Sequence, residues 1–186
     1  INNQTGKVIN NTQNNKQQLA PLPFSLSALQ IAAAKMFSMS AKQVLDICQQ
    51  LYEKHKLITY PRSDCQYLPK EHLHDIPSVV NAIKSVSSKL SPMLEQADFN
   101  KKGSAWNDKK VSAHHAIIPT AKDKPTGSLS SDEGKIYELV AKQYLAQFYP
   151  NFEYSEKQIN TEIAGGLFIS RQKDIIKTGW KDLFSL

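Results

Sequence analysis

Leu57-Ile58-Thr59-Tyr60-Pro61-Arg62-Ser63-Asp64-Cys65 begins as a short apolar strand and is stopped by a proline. Proline lacks the N–H that a sheet ladder needs, so the run ends at Tyr60. A residue before proline is pushed out of the helical region, so Tyr60 is expected to be extended. Residues two apart in an extended segment project to one side. Tyr60 and Arg62 would then share a face, unless Pro61 bends the chain. That pairing has chemical meaning. A free tyrosine hydroxyl has a pKa of about 10 and is a poor nucleophile until a nearby positive charge favours the phenolate. A phosphodiester repels an incoming anion. A guanidinium fork can hold the phosphate, offset that repulsion and stabilise the transition state. The plainer alternative is a packed aromatic beside a surface charge, with Arg62 paired to Asp64.

The composition leaves room for such a partner. Lys and Arg number 23 against 17 Asp and Glu, a formal charge of +6 over 186 residues. This suits a polyanion without requiring one. Only Arg62 and Arg171 are arginines, so a rigid fork is scarce in a lysine-rich chain. Cys48 and Cys65 form no CxxC pair and no zinc spacing. A reducing, cytoplasmic setting is the default. No apolar run approaches the ~20 residues that cross a bilayer, so no membrane partner is expected. The chain starts at Ile1 and stops just after Trp180-Lys181-Asp182-Leu183-Phe184, which reads as a segment of a longer protein.

Outward from the tyrosine, the elements follow from caps and periodicity. Residues 1–19 are rich in Asn and Gln and predict one short strand at Lys7-Val8-Ile9 with a polar connector. Ser25 caps a helix through Phe37, with Leu26, Leu29, Ala33 and Phe37 at helical spacing. Ser40 caps a second helix over 41–54, with a Val44, Cys48, Leu51 stripe. A third helix has Pro77 in its first turn and Val79, Ile83 and Val86 facing inward. Residues 88–112 read as a loop containing Lys101-Lys102-Gly103 and Asp108-Lys109-Lys110. Ala116-Ile117-Ile118 is a second apolar run, stopped by Pro119. Ser130 with Glu133 fits a capping box for a helix ending near Phe148. Residues 152–163 and 167–176 predict a hairpin around Gly165-Gly166.

Three separated stretches resemble type IA DNA topoisomerases. Leu22-Pro23-Phe24-Ser25-Leu26-Ser27-Ala28-Leu29-Gln30 looks like the opening of their tyrosine domain. Leu57 to Cys65, followed by Tyr67-Leu68-Pro69, resembles their active-site signature. Ala113-His114-His115-Ala116-Ile117-Ile118-Pro119-Thr120 resembles the downstream histidine element. Trp106-Asn107-Asp108-Lys109-Lys110 and Thr178-Gly179-Trp180 add smaller matches. Pro61, Ser63-Asp64-Cys65 and His115 bring the resemblance nearest to the bacterial topoisomerase III branch.

The resemblance implies an α+β, mostly helical chain. Residues 21–150 would be a gate domain with a helix-turn-helix-like core. Residues 1–20 and 151–186 would be β segments of an arch domain. It implies cleavage of one DNA strand through a 5′-phosphotyrosyl intermediate, strand passage and resealing without ATP. Tyr60 would be the nucleophile and Arg62 would position the scissile phosphate. His114 would contact a DNA phosphate, and an imidazole can both donate a hydrogen bond and gain charge near neutral pH. Ser63, Lys109 and Lys110 would touch DNA. Asp64 either pairs with Arg62 or caps a turn, and His115 carries no assigned role. Mg²⁺ would be bound outside this chain, by an N-terminal domain that is its partner together with single-stranded DNA. No Asp-x-Asp motif with acidic company occurs here, so the chain alone is expected not to cleave. A nucleoid-associated setting follows. The rival reading is a non-catalytic single-stranded DNA-binding module with a structural Tyr60. Tyrosine recombinases need more arginines, and relaxases need a histidine triad.

Overall fold

A computed structural model describes residues 4–101 and 103–185. Lys102 of the expected loop and residues 1–3 of the first β segment therefore lie outside the described residues. The architecture is α+β. The chain divides into two compact units, 21–149 and the combination of 1–20 with 150–186.

The larger unit is helical. Helix α1 (Leu26–Phe37) starts where the Ser25 hydroxyl accepts the Ala28 N–H, and ends at Ser38 in the left-handed region. Helix α2 (Ala41–Glu53) starts in a capping box between Ser40 and Gln43. Only three residues separate α1 from α2, so the two pack as a pair, and α5 (Ser131–Leu145) packs against both. The predicted Ser130–Glu133 box is formed. Leu29, Ala33, Val44, Cys48, Leu51, Ile136, Val140 and Leu145 are fully buried between them. Burial pushes the Cys48 thiol up to about 12, which leaves it an inert core group.

Helix α3 (Ile76–Val86) carries Pro77 in its first turn and buries Ile76, Val79, Ala82 and Ile83. Val86, expected inside, is only half-buried. The stretch expected as pure loop contains a short 3-10 turn (Ser88–Leu90) and helix α4 (Ser91–Glu95), which bury Leu90, Met93 and Leu94. A five-residue helix is too short to show a period, so its apolar pair was legible only as composition.

The smaller unit is a three-stranded antiparallel sheet in the order β1 (Lys7–Gln18), β2 (Phe152–Ile163), β3 (Gly166–Lys177). Strand β1 is far longer than the predicted three residues and pairs from Lys7↔Glu162 to Gln18↔Phe152. Asn and Gln are poor strand formers, yet the ladder is built from backbone groups, and the partner lies about 140 residues downstream. The hairpin turns one residue earlier than expected, at Ala164 and Gly165, with φ of 50° and 76°. Two consecutive positive φ values define the type I′ turn that matches strand twist. A 3-10 turn (Gly179–Phe184) closes the unit, with the Trp180 indole donating to the Gln18 carbonyl at 3.0 Å.

Candidate active site

The tyrosine segment leaves α2 through His55, which is fully buried with its Nε2 3.3 Å from a Glu133 carboxylate oxygen. Lys56 then turns the chain with φ of 59°. Leu57 and Ile58 are buried anchors, and Tyr60 emerges half-exposed. The predicted strand-like runs do not become strands. They meet in one antiparallel bridge, Ile58↔Pro119. Neighbouring bonds extend it: the Thr59 N–H donates to Ile118 O at 3.0 Å, and the Thr120 N–H to Leu57 O at 2.9 Å. Pro119 has no N–H to offer, which limits the ladder.

Beyond Tyr60, Pro61 and Arg62 form a turn, so the segment bends where the sequence allowed for it. Burial nevertheless alternates. Pro61, Ser63 and Cys65 face inward, while Arg62 and Asp64 face solvent. Arg62 makes no ion pair and no side-chain hydrogen bond among the described residues. The alternative pairing of Arg62 with Asp64 is therefore not formed.

Ser63, expected at the DNA, is 1% exposed in this chain. Its hydroxyl accepts the Cys65 N–H at 3.2 Å, and its carbonyl accepts the Leu26 N–H at 2.8 Å. Its position in the inward half of the alternation gives it a structural task, pinning the loop to the start of α1.

Antiparallel pairing also explains what meets the tyrosine. Stepping from Ile58 to Tyr60 on one side runs backward from Pro119 toward the histidines on the other. The ring of exposed His114 lies 4.2 Å from the Tyr60 ring, tilted by 30°. On another side, Tyr52 of α2 meets Tyr60 edge-on at 5.9 Å, and Lys56 sits 5.6 Å above the Tyr52 ring. Tyr52 was not anticipated. Its only sequence signal is that it lies eight residues upstream, where a helix end could fold back.

His115 turns the other way. Its Nδ1–H donates to its neighbour's carbonyl, Ala116 O, at 2.8 Å, and its ring meets His72 at 4.5 Å. Burial holds its pKa below the ordinary 6.5; the nearby His72 and His114 act in the same sense, against the Ala116 bond and Glu71. Lys109 and Lys110 sit exposed on a 3-10 turn (Asp108–Lys110). Lys110 is committed to Tyr67, 3.0 Å from its hydroxyl and 4.7 Å from its ring centre. Among the described residues no three His, Cys, Asp or Glu gather as a metal site. The described residues therefore offer no carboxylate set of the kind that holds Mg²⁺.

The arrangement is a half-exposed phenol against a tilted imidazole, with a guanidinium unpaired among the described residues two positions on. The chain belongs to the DNA topoisomerase family, whose model matches residues 1–185. Bacterial DNA topoisomerase 3 proteins are among its relatives. DNA topoisomerase 3 of Vibrio cholerae is 54% identical over 183 residues, covering 98% of this chain and 28% of that protein. DNA topoisomerase 3 of Bacillus subtilis is 38% identical over 173 residues, covering 92% and 24%. The full-length topoisomerase I structure from Thermotoga maritima superposes with a TM-score of 0.68 at 25% identity, over 96% of this chain and 29% of that one. The chain thus spans about a quarter of the length of the proteins it matches.

Proposed function

We propose that this chain is the tyrosine-bearing part of a longer type IA DNA topoisomerase that cleaves one strand, passes another through the gap and reseals the first. The Tyr60 oxygen attacks a backbone phosphorus. A new bond joins phosphorus to the tyrosine oxygen, and the bond to the 3′ oxygen breaks. The phenol proton leaves and the departing 3′ oxygen gains one, so the step balances. The reverse reaction regenerates the phenol and the intact strand, which needs no ATP because the phosphotyrosyl ester retains the energy of the broken linkage.

The observation that carries this reading is the ring of Tyr60, half-exposed and 4.2 Å from His114, with Arg62 two residues on, exposed and unpaired among the described residues. Arg62 grips the scissile phosphate with its two parallel N–H groups. His114 donates a hydrogen bond to a neighbouring phosphate. Lys109 adds electrostatic hold on single-stranded DNA, the expected partner. Residues 21–149 act as a gate that carries the bound strand end, and the β unit belongs to the arch that lets the gate move. Mg²⁺ and the proton-transfer groups would come from the remainder of the enzyme. The chain by itself is then inactive, and the setting is the cytoplasmic nucleoid.

The test is covalent capture on a single-stranded oligonucleotide by the full-length enzyme, with Tyr60→Phe alongside. The expected result is a denaturation-resistant adduct that Tyr60→Phe abolishes, together with plasmid relaxation. A Tyr60→Phe enzyme that still relaxes plasmid would make the chain a binding module instead.

A further inference from the structure

We infer that Thr59 is a positioning residue for the nucleophile, setting the register between the tyrosine segment and the histidine segment through its side-chain hydroxyl. The inference rests on the reading of Tyr60 as nucleophile and adds a residue to that site.

Two segments 57 to 59 residues apart must be held side by side for Tyr60 and His114 to meet. A regular ladder cannot do this. Pro119 stands in the one bridge and lacks a donor, and Pro61 ends the tyrosine segment two residues past Thr59. The side chain of Thr59 supplies what the backbone cannot. Its hydroxyl donates to Ala116 O at 3.0 Å and accepts the Ile118 N–H at 3.0 Å. Its own N–H donates to Ile118 O at 3.0 Å. One residue, adjacent to the nucleophile, therefore makes three bonds to the opposite segment.

The far ends of those bonds lead to the histidines. Ala116 O accepts from Thr59 and also from the His115 Nδ1–H at 2.8 Å. One carbonyl, with its two lone pairs, thus joins the threonine to the histidine pair that flanks the site. The β-branch of threonine narrows its χ1 choices, which suits a hydroxyl that must face two backbone groups at once. At the other end of the same bridge Thr120 does a parallel task, its hydroxyl donating to Lys56 O at 2.6 Å. That bond lies four residues from Tyr60 and secures the turn at Lys56, not the nucleophile.

The consequence is geometric. Without the Thr59 hydroxyl, the Ile118 N–H and one lone pair of Ala116 O lose their partner. What still joins the two segments is the backbone bonds from the Thr59 N–H to Ile118 O and from the Thr120 N–H to Leu57 O, with the Thr120 hydroxyl on Lys56 O. Tyr60 then shifts relative to His114. A misplacement of about 1 Å in a reacting group is enough to cost ~10²-fold in rate.

The experiment uses the full-length enzyme with Thr59→Val, which keeps shape and loses the hydroxyl, and Thr59→Ser, which keeps the hydroxyl and loses the methyl. Single-turnover cleavage of a saturating single-stranded oligonucleotide is measured beside its Kd. Thr59→Val is expected to slow cleavage by about 10²-fold while Kd moves less than about threefold, because the lost interaction concerns the reacting geometry and not the grip on DNA. Thr59→Ser is expected to cleave within about threefold of the parent. A Thr59→Val enzyme cleaving at the parent rate overturns the inference. So does a Thr59→Ser enzyme slowed by ~10²-fold, an outcome that remains readable if the valine variant does not fold. Loss of the nucleophile reading is separate: it shows as an adduct that survives Tyr60→Phe.

Discussion

Tyr60 and His114 hold their rings 4.2 Å apart at a tilt of 30°, although they lie 54 positions apart along the chain. The contact combines two things that can be pulled apart. One is aromatic packing, worth about 0.5–1.5 kcal/mol for a well-formed pair and less where exposed. The other is a ring nitrogen available to a phosphate oxygen. His114→Phe keeps the first and removes the second. Adduct formation by the full-length enzyme is expected to fall about 10–10²-fold in both His114→Phe and His114→Ala, as for loss of one hydrogen bond to a charged group. Full recovery in His114→Phe would mean that packing alone is needed.

Arg62 presents the opposite situation, a charged group with no partner to lose. It faces solvent and has neither ion pair nor side-chain hydrogen bond among the described residues. Its replacement is therefore expected to leave the urea unfolding free energy within about 0.5 kcal/mol of the parent. Adduct yield should behave differently. Arg62→Lys retains the charge but not the planar fork, and a fall of about tenfold is expected, with Arg62→Ala lower still. Equal adduct yields for arginine and lysine would show that charge suffices.

Much of the framework around this candidate site was legible in the chain itself, and the reasons differ by residue. Ser25, Ser40 and Ser130 announce helix starts because a capping hydroxyl acts on its own next turn. Pro61 announces the end of the tyrosine run for an equally local reason. The inward turn of Ser63 was not legible, because it depends on Leu26, a contact 37 residues away. The length of β1 was hidden by Asn and Gln, whose side chains say little about a ladder that their backbones join at long range. Tyr52 was missed for a related reason. It sits on the α2 helix at half-burial, which periodicity records as an ordinary flank. What a sequence yields readily is local chemistry, and the approach of Tyr60 to His114 became visible only through the Ile58↔Pro119 bridge.

His115 makes stability depend on pH. Its pKa is held below the ordinary 6.5, first by burial. The unfolded chain therefore binds a proton more readily than the folded one in the window beneath 6.5. Stability is complete above that window and declines as pH falls through it, until the folded histidine also protonates. His115→Gln removes the titration. Urea unfolding at pH 8 and at about pH 5.5 should show the parent losing more stability than the variant on acidification. Equal losses would assign the acid sensitivity elsewhere.

Gly179 closes the β unit in a way no other residue can match. Its φ is +53°, and a Cβ there would stand 2.3 Å from Asn151 O and 2.5 Å from Pro150 O. Those are backbone atoms, so neither can rotate aside. Pro150 O is also the acceptor of the Trp180 N–H at 3.0 Å, and any retreat would stretch that bond. Gly165 offers a control. It too has a positive φ, +76°, but a Cβ there meets nothing within 4 Å. Gly165→Ala should cost only the left-handed conformation, about 1 kcal/mol. Gly179→Ala adds displacement of two carbonyls and should cost about 3 kcal/mol or more. Thermal unfolding of the two variants side by side separates conformational strain from collision. Comparable losses would mean that the 150–151 backbone yields freely, and that the Trp180 closure is looser than its hydrogen bonds suggest.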